Sequence, residues 1–217
     1  MDNPLDPVGI RVLGALIEKE ITTPDNYPLT LNALVAACNQ TSNRAPVLTL
    51  DEASVSKSLE DLSRRSLVRG VHRSDSRAKR YRQAMSEAMK LHPAETAVMC
   101  VLMLRGAQTA GEIRARTARL FEFVDVSHVD VTLQALMALS TPLVAQLERR
   151  AGQKEVRYAH LLSGEPEVDT PEPGAQPDQL DVVENDRVGA LEKAVDSLRA
   201  ELEELRARFD EFRAEFQ

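Results

Sequence analysis

The stretch TLDEASVSKSLEDLSRRSLVRGVHRSDSRAKRYRQ, residues 49–83, decides the fold of this chain. Its first part predicts a helix over residues 51–65, because apolar residues recur there at helical spacing: Val55, Leu59 and Leu62. Two short runs follow, residues 67–71 and 79–83, which read as β-strands joined by the polar turn HRSDSR (72–77). The stretch therefore predicts a helix followed by a β-hairpin.

Two further helices precede this stretch. Residues 8–21 carry apolar residues on one helical face, and Asp6 and Pro7 suit a helix N-terminus. Thr30 is placed to cap a second helix over residues 31–40. Three helices and a hairpin are the order of a winged helix-turn-helix domain. In such a domain the third helix reads DNA and the hairpin forms the wing.

The same stretch is strongly basic. Between Lys57 and Arg82 nine Lys and Arg residues stand against three acids, a local charge of +6 in a chain of net charge −7. This concentration predicts a polyanionic partner, and duplex DNA is the one we favour. The predicted DNA-binding residues are Ser54, Lys57, Ser58, Arg65, Arg73, Arg77, Lys79, Arg80 and Arg82. The alternative is a solvated basic face, or one that pairs with the acidic tail of the same chain.

A second set of the same elements follows. Residues 92–106 predict a helix, Thr109 and Ser127 are each placed to cap another, and residues 143–161 predict a hairpin. Three motifs recur 74 to 77 residues later: Val55-Leu59-Leu62 as Val129-Leu133-Leu136, Leu67-Val68 as Leu143-Val144, and Arg80-Tyr81 as Arg157-Tyr158. This internal match predicts two related winged-helix domains.

The second copy carries less charge on its third helix. The residues that this helix offers are poor in bases, although the wing keeps some: His128, Asp130, Val131, Thr132 and Gln134, with Arg149, Arg150 and Lys154 in the wing. We interpret the second copy as a packing or protein-partner surface, with DNA reading as the alternative. The loop NQTSNRAP (39–46) also has two interpretations. Its polar residues satisfy backbone groups in turns, or Asn43 and Arg44 contact a phosphate or another ligand.

The end of the chain has a different composition. Residues 163–217 carry 16 acids and 6 bases, a net charge of −10, so residues 1–162 have a net charge of +3. Residues 164–184 read as an acidic, proline-rich linker, and residues 185–217 predict a coiled-coil helix. Its heptad seam consists of Val188, Leu191, Val195, Leu198, Leu202, Leu205, Phe209, Phe212 and Phe216. We expect a homodimer through this helix; folding back onto the body and pairing with another protein stay open.

The stretch LGALIEKEITTPDNYPLTLNALVAACNQTSNRAPV (13–47) resembles the opening signature of the bacterial YceH-like family. The resemblance continues through LRGAQTAGEIRARTARLFEF (104–123) and RYAHLLSGE (157–165), and it covers essentially the whole chain. It implies a tandem winged-helix protein of unestablished biochemical function, and it brings no catalytic or ligand residues. One departure is His92, which stands where relatives tend to have a serine cap.

Other features bear on the class of protein. Cys38 and Cys100 lie in apolar helical patterns and are expected to be reduced core residues. The histidines lack metal-ligand spacing: His72, His92, His128 and His160. We find no phosphate-binding glycine loop and no nucleophile elbow, so we expect no enzyme and no cofactor or metal. With no signal peptide and no apolar run of membrane-spanning length, we expect a cytoplasmic protein.

The predicted fold class is mainly α, of the α+β winged-helix type. Its parts are two winged-helix domains (1–86 and 87–163), a linker (164–184) and a coiled-coil helix (185–217). The predicted function is DNA binding in a regulatory role, through the third helix and wing of the first domain. The alternative is a protein–protein interaction scaffold that uses the winged helices and the coil without binding DNA.

Overall fold

The computed structural model describes residues 4–71, 79–149 and 155–165, which form a helix-rich α+β structure. Within these residues the helices are α1 (Pro7–Thr22), α2 (Leu31–Cys38), α3 (Glu52–Arg64), α4 (Met85–Met89), α5 (Pro93–Arg105), α6 (Ala110–Thr117) and α7 (Val126–Met137). The strands are β1 (Leu29–Thr30), β2 (Val68–Val71), β3 (Arg80–Gln83), β4 (Val144–Gln146) and β5 (Tyr158–His160). The predicted coiled-coil helix, and the linker from residue 166 onward, lie outside the described residues.

Helix α1 lies at the centre of this structure. Its N-terminus is capped as predicted, since the Gly9 N–H donates to Asp6 Oδ1 at 2.6 Å and Pro7 takes the first helical position. The sequence predicted that one face of this helix is buried, but all residues from Gly9 to Glu18 are buried. The reason is that α1 packs against α2, α3, β3 and α5.

The predicted hairpin of the first half is present, and it gains a third strand. Strands β2 and β3 pair antiparallel with Gly70 opposite Tyr81. Strand β1 adds to the other side of β3 with Leu29 opposite Tyr81, which gives the order β1-β3-β2. The sequence pattern missed β1 because a strand of two residues is too short to show alternation.

The second half repeats the order of the first. Helices α5, α6 and α7 precede the antiparallel pair β4–β5, as α1, α2 and α3 precede β2–β3. A bridge between Gln108 and Tyr158 corresponds to the pairing of β1 with Tyr81. The matching apolar residues of α3 and α7 are all buried, as the repeat predicted: Val55, Leu59, Leu62, Val129, Leu133 and Leu136.

One predicted cap was wrong. Helix α7 begins at Val126, and its cap is Asp125 rather than Ser127, because Asp125 Oδ1 accepts the His128 N–H at 2.8 Å. Asp and Ser are equally good caps. The choice between them depended on where the preceding loop ends, which the sequence pattern left open.

The two halves share one hydrophobic core through the contact between α1 and α5. Gly14 makes this contact close, because a Cβ at that position would lie 2.9 Å from Leu104 Cδ2. Beside it, Cys100 Sγ donates to the Gly14 carbonyl at 3.5 Å. Cys38 and Cys100 are both buried and free, as predicted. None of the helices in the described parts of the chain has the length and apolar character needed to cross a membrane.

Candidate nucleic-acid interface

Helix α3 is held in a fixed rotation by its apolar face and its cap. Val55 and Leu62 are fully buried against the core. At the N-terminus, Asp51 Oδ1 accepts the Ser54 N–H at 2.8 Å. Hydrogen bonds from the Ser54 side chain and then from its backbone lower the pKa of the Asp51 carboxyl. The negative charge of the cap also suits the positive end of the helix dipole. Because the apolar face is buried, the other face of α3 is exposed to solvent.

The solvent face of α3 carries two bases in line. Lys57 and Arg64 are seven residues apart and therefore lie on the same side of the helix. Both are exposed, and Ser54 lies one turn before Lys57. Lys57 forms no ion pair with another described residue, whereas Arg64 donates to Asp61 Oδ1 at 3.0 Å with its side chain 72% exposed. Glu60 and Asp61 lie on the same side of the helix between these two bases, so this face of α3 carries charges of both signs.

Two of the predicted DNA contacts on α3 are wholly or partly buried. Ser58 was predicted to reach the groove, but only 5% of it is exposed and its Oγ faces Gly9 of α1, 3.4 Å from where a Cβ would stand. It lies three residues after Val55 and four before Leu62, at the edge of the buried face of the helix, so that prediction was wrong. Arg65 is half-buried, and its Nε lies 2.7 Å from Asp61 Oδ2. The hydrogen bond from Arg64 lowers the pKa of the Asp61 carboxyl, and the positive charge of Arg65 lowers it further by a smaller amount.

On the hairpin, Lys79 is an exposed base that lies beside α3. Its Nζ lies 5.3 Å from the centre of the Tyr81 ring, a cation–π distance. The side chain also covers Gly70 on the neighbouring strand β2. Arg64 and Lys79 line the same groove between α3 and β3, of about 390 Å³. The groove thus brings a helix base and a hairpin base together, beside the acid Glu60.

The other hairpin arginines that the structure describes have partners within the protein. Arg69 and Arg82 both pair with Glu87, and the Arg69 contact measures 2.9 Å. Arg80 is half-buried and donates to the Pro28 carbonyl at 2.9 Å, which ties β3 to the loop before β1. The predicted contacts Arg73 and Arg77 lie outside the described residues, as do Arg150 and Lys154 of the second hairpin.

The loop between α2 and α3 is built around a buried ion pair. Arg44 is 5% exposed and donates to both carboxylate oxygens of Glu18, at 3.0 and 2.6 Å. It also donates to the Ala37 carbonyl at 2.9 Å. The alternative in which Arg44 contacts an external phosphate was therefore wrong. A bidentate pair of this kind fixes the loop, and through it the start of α3.

A second buried arginine strengthens the same loop. Arg11 donates to the Cys38 carbonyl at 3.1 Å and to the Pro46 carbonyl at 2.6 Å. Burial lowers the pKa of the Arg11 guanidinium, and the nearby positive charge of Arg44 is the second, smaller cause. Sequence reasoning missed this network. The available signal was that Arg11 and Glu18 are charged residues seven apart on a helix that is otherwise apolar at these positions.

The second half exposes apolar rather than basic groups at the corresponding place. Val124, Val126 and Val131 are 78%, 40% and 67% exposed. In the same segment the Phe123 and His128 rings contact edge to face, with 5.0 Å between their centroids. Thr132, which we expected on the outer face of α7, is buried, and its hydroxyl donates to the His128 carbonyl. Exposed Val131 agrees with its predicted place on the outer face.

Metal binding has no support in the described parts of the chain, where no group of three or more His, Cys, Asp or Glu side chains could hold an ion.

Comparison with known proteins places the chain among relatives of similar length. The family described as "Protein of unknown function, DUF480" matches residues 5–153, which include α3, the first hairpin and α7. A UPF0502 protein of Geotalea uraniireducens is 47% identical over 199 residues, 90% of each chain. UPF0502 proteins of Geobacter sulfurreducens and Chromobacterium violaceum are 46% and 44% identical, over 91% and 90% of this chain and 91% and 88% of their own.

Proposed function

The chain belongs to the DUF480 family of proteins of unknown function, and we propose that it is a tandem winged-helix protein that binds duplex DNA without catalysing a reaction. The repeated order of three helices and a hairpin supports the winged-helix assignment. In this proposal α3 enters the major groove and the hairpin β2–β3 follows the phosphate backbone.

The observation that carries the proposal is the groove shared by α3 and β3. Lys57, Arg64 and Lys79 are exposed on the two elements that a winged-helix domain uses for DNA, and two of them line that groove. Phosphate contacts from such bases supply affinity without sequence preference. The ion pairs at Glu87 do not prevent this, because exposed pairs are worth about 1 kcal/mol or less and a phosphate can replace the carboxylate.

The predicted coiled-coil helix adds a second element to the proposal. A homodimer through residues 185–217 presents two copies of the basic surface to one duplex. Avidity then compensates for weak single sites, since the second contact becomes intramolecular. The seam of apolar residues at heptad spacing supports this part of the proposal.

The test is a fluorescence anisotropy titration of a labelled duplex across a series of salt concentrations. We expect binding at low salt that weakens steeply as salt rises. A variant with Lys57→Gln and Lys79→Gln should bind more weakly, and its salt slope should fall by about 2 because two phosphate contacts are lost. Lys90→Gln, an exposed base outside α3 and the hairpin, is the matched control. No wild-type binding at low salt, or an unchanged slope in the double variant, contradicts the proposal.

The exposed valines of the second half favour a second candidate function, an interaction scaffold. Val124, Val126 and Val131 lie within one stretch of eight residues, and exposed apolar patches mark sites of protein interaction. A pull-down from the native bacterium after nuclease treatment compares the wild type with Val131→Asp. A protein partner that is lost only with the variant supports the scaffold, and identical recovery with both contradicts it.

A further inference from the structure

Helix α7 presents an uncharged face to solvent. Four exposed residues recur at spacings of four, three and four residues along one side of the helix and its C-cap: Ser127, Val131, Gln134 and Ala138. This side lies opposite the buried Val129 and Leu136. Val131, near its middle, is 67% exposed. A partner can cover this uncharged face without the cost of burying a charge.

The corresponding positions of α3 show that the fold does not require an uncharged face. With the offset of 74 residues between the two helices, these positions are also exposed: Ala53, Lys57, Glu60 and Arg64. Three of the four are charged in α3 and none in α7, although the buried apolar triplet is kept in both helices. Depletion of charged residues is the compositional mark of the centre of a protein–protein interface. The comparison within one chain therefore assigns the outer face of α7 to a protein contact.

This face is complementary to itself when two copies of α7 lie antiparallel. The spacing of four, three and four reads the same in both directions, so a two-fold axis sets Val131 against Gln134 of the second copy. The same axis sets Ser127 against Ala138, two short side chains that allow close approach. Antiparallel packing also places the positive end of each helix dipole beside the negative end of the other.

Charged residues lie at the edge of this face rather than within it. Asp130 is half-buried beside the face, and in the antiparallel pair it stands opposite Ala135 of the second copy. Asp125 already caps the start of its own helix through the His128 N–H. The pairing thus brings no like charges together, which suits a second copy of the same face.

We propose that the uncharged face of α7 is a homodimer contact, packed antiparallel against the same face of a second copy of the chain. The inference does not depend on DNA binding by the first half. It names a partner for the exposed surface on which the scaffold function rests. Since α7 has about three turns, this contact is smaller than the roughly 1,200–2,000 Å² of stable complexes, and we expect a weak association from it alone.

Disulfide capture in the full chain tests the proposal, because a covalent bond retains a weak contact. Ser127→Cys with Ala138→Cys places a thiol at each end of the face, about 16 Å apart along one helix, too far for a bond within one chain. Mild oxidation should give a covalent dimer on a denaturing gel. Cys38 and Cys100 are buried and do not interfere. Ser127→Cys alone should not cross-link, since antiparallel packing keeps the two copies of this residue apart.

The matched control places the same pair of thiols on α3. Ala53→Cys with Arg64→Cys should give no covalent dimer under the same oxidation. Adding Val131→Asp to the α7 cysteine pair should lower the yield of covalent dimer at least about tenfold, because a carboxylate would be buried at the centre of the contact. Gln134→Glu has the same effect from the facing position. It keeps the test decisive if circular dichroism shows that Val131→Asp disturbs the fold.

The absence of a covalent dimer from the α7 pair overturns the proposal. Equal dimer from the α3 pair, or an unchanged yield with either acidic substitution, does the same. Cross-linking by Ser127→Cys alone overturns the antiparallel arrangement. If the pull-down recovers a different protein while the purified chain gives no cross-link, the face belongs to that protein and not to a second copy. The duplex titration measures DNA binding separately, so failure of one proposal is distinct from failure of the other.

Discussion

Replacing Gly14 by alanine tests the close contact on which the arrangement of the two halves depends. The new Cβ would stand 2.9 Å from Leu104 Cδ2 and 3.2 Å from Met103 Cβ, so either the Leu104 side chain must move or α1 and α5 must separate. Overpacking of a buried contact costs about 1–3 kcal/mol. Alanine in place of glycine inside a helix gains about 1 kcal/mol. We therefore expect Gly14→Ala to lower the free energy of unfolding by up to about 2 kcal/mol.

Gly111→Ala is the matched control for this experiment. Gly111 lies in α6, and the nearest atom to its added Cβ would be Thr109 Oγ1 at 4.0 Å. This variant should be more stable than the wild type by up to about 1 kcal/mol, since only the helix preference acts. Urea unfolding followed by circular dichroism measures both changes. If Gly14→Ala is also stabilising, the α1–α5 contact is not as close as described, and our account of how the halves meet is refuted.

Three further predictions follow from buried polar groups. Arg44→Met leaves Glu18 without its partner and should lower the free energy of unfolding in urea by about 3–5 kcal/mol. Adding Glu18→Met to the same chain should recover part of this loss. A loss below about 1 kcal/mol for Arg44→Met contradicts the buried pair. Burial lowers the pKa of His160 from 6.5 to about 4, so the unfolded state takes up the proton first and stability falls as pH drops from 6.5 to 4. The free energy of unfolding should fall by on the order of 3 kcal/mol over this pH range, and by less in His160→Leu. If the free energy of unfolding depends on pH equally in both proteins, the prediction is contradicted. Burial raises the pKa of Cys38 to about 12 and that of Cys100 as well, so a thiol reagent should react with both only after unfolding; fast labelling of the native chain would disprove this.

The helices could be predicted where apolar spacing and a cap coincided. The Asp6 and Thr30 caps and the buried triplet of α3 are such cases. The burial of α1 was harder to predict, because other elements surround this helix on all sides and apolar periodicity then no longer marks a single buried face. Strand β1 and helix α4 were missed because two and five residues are too short to carry a pattern.

The candidate site could be predicted only in part, because the sequence gives the number of charged residues but does not show which of them form ion pairs or hydrogen bonds with each other. Lys57 and Lys79 are exposed as the basic stretch suggested. Arg80 instead supports the Pro28 carbonyl, a partner 52 residues away that no local pattern indicates. Ser58 was misassigned because helical spacing leaves the edge of the buried face uncertain by one position.

Hydrogen–deuterium exchange, measured with and without a duplex at low salt, tests the central claim most directly. If α3 and the hairpin bind DNA, backbone amides of residues 52–71 and 80–83 gain protection when the duplex is added, while those of α7 do not. Protection confined to α7, or none in any segment, contradicts the proposal that the first half is the DNA-binding surface.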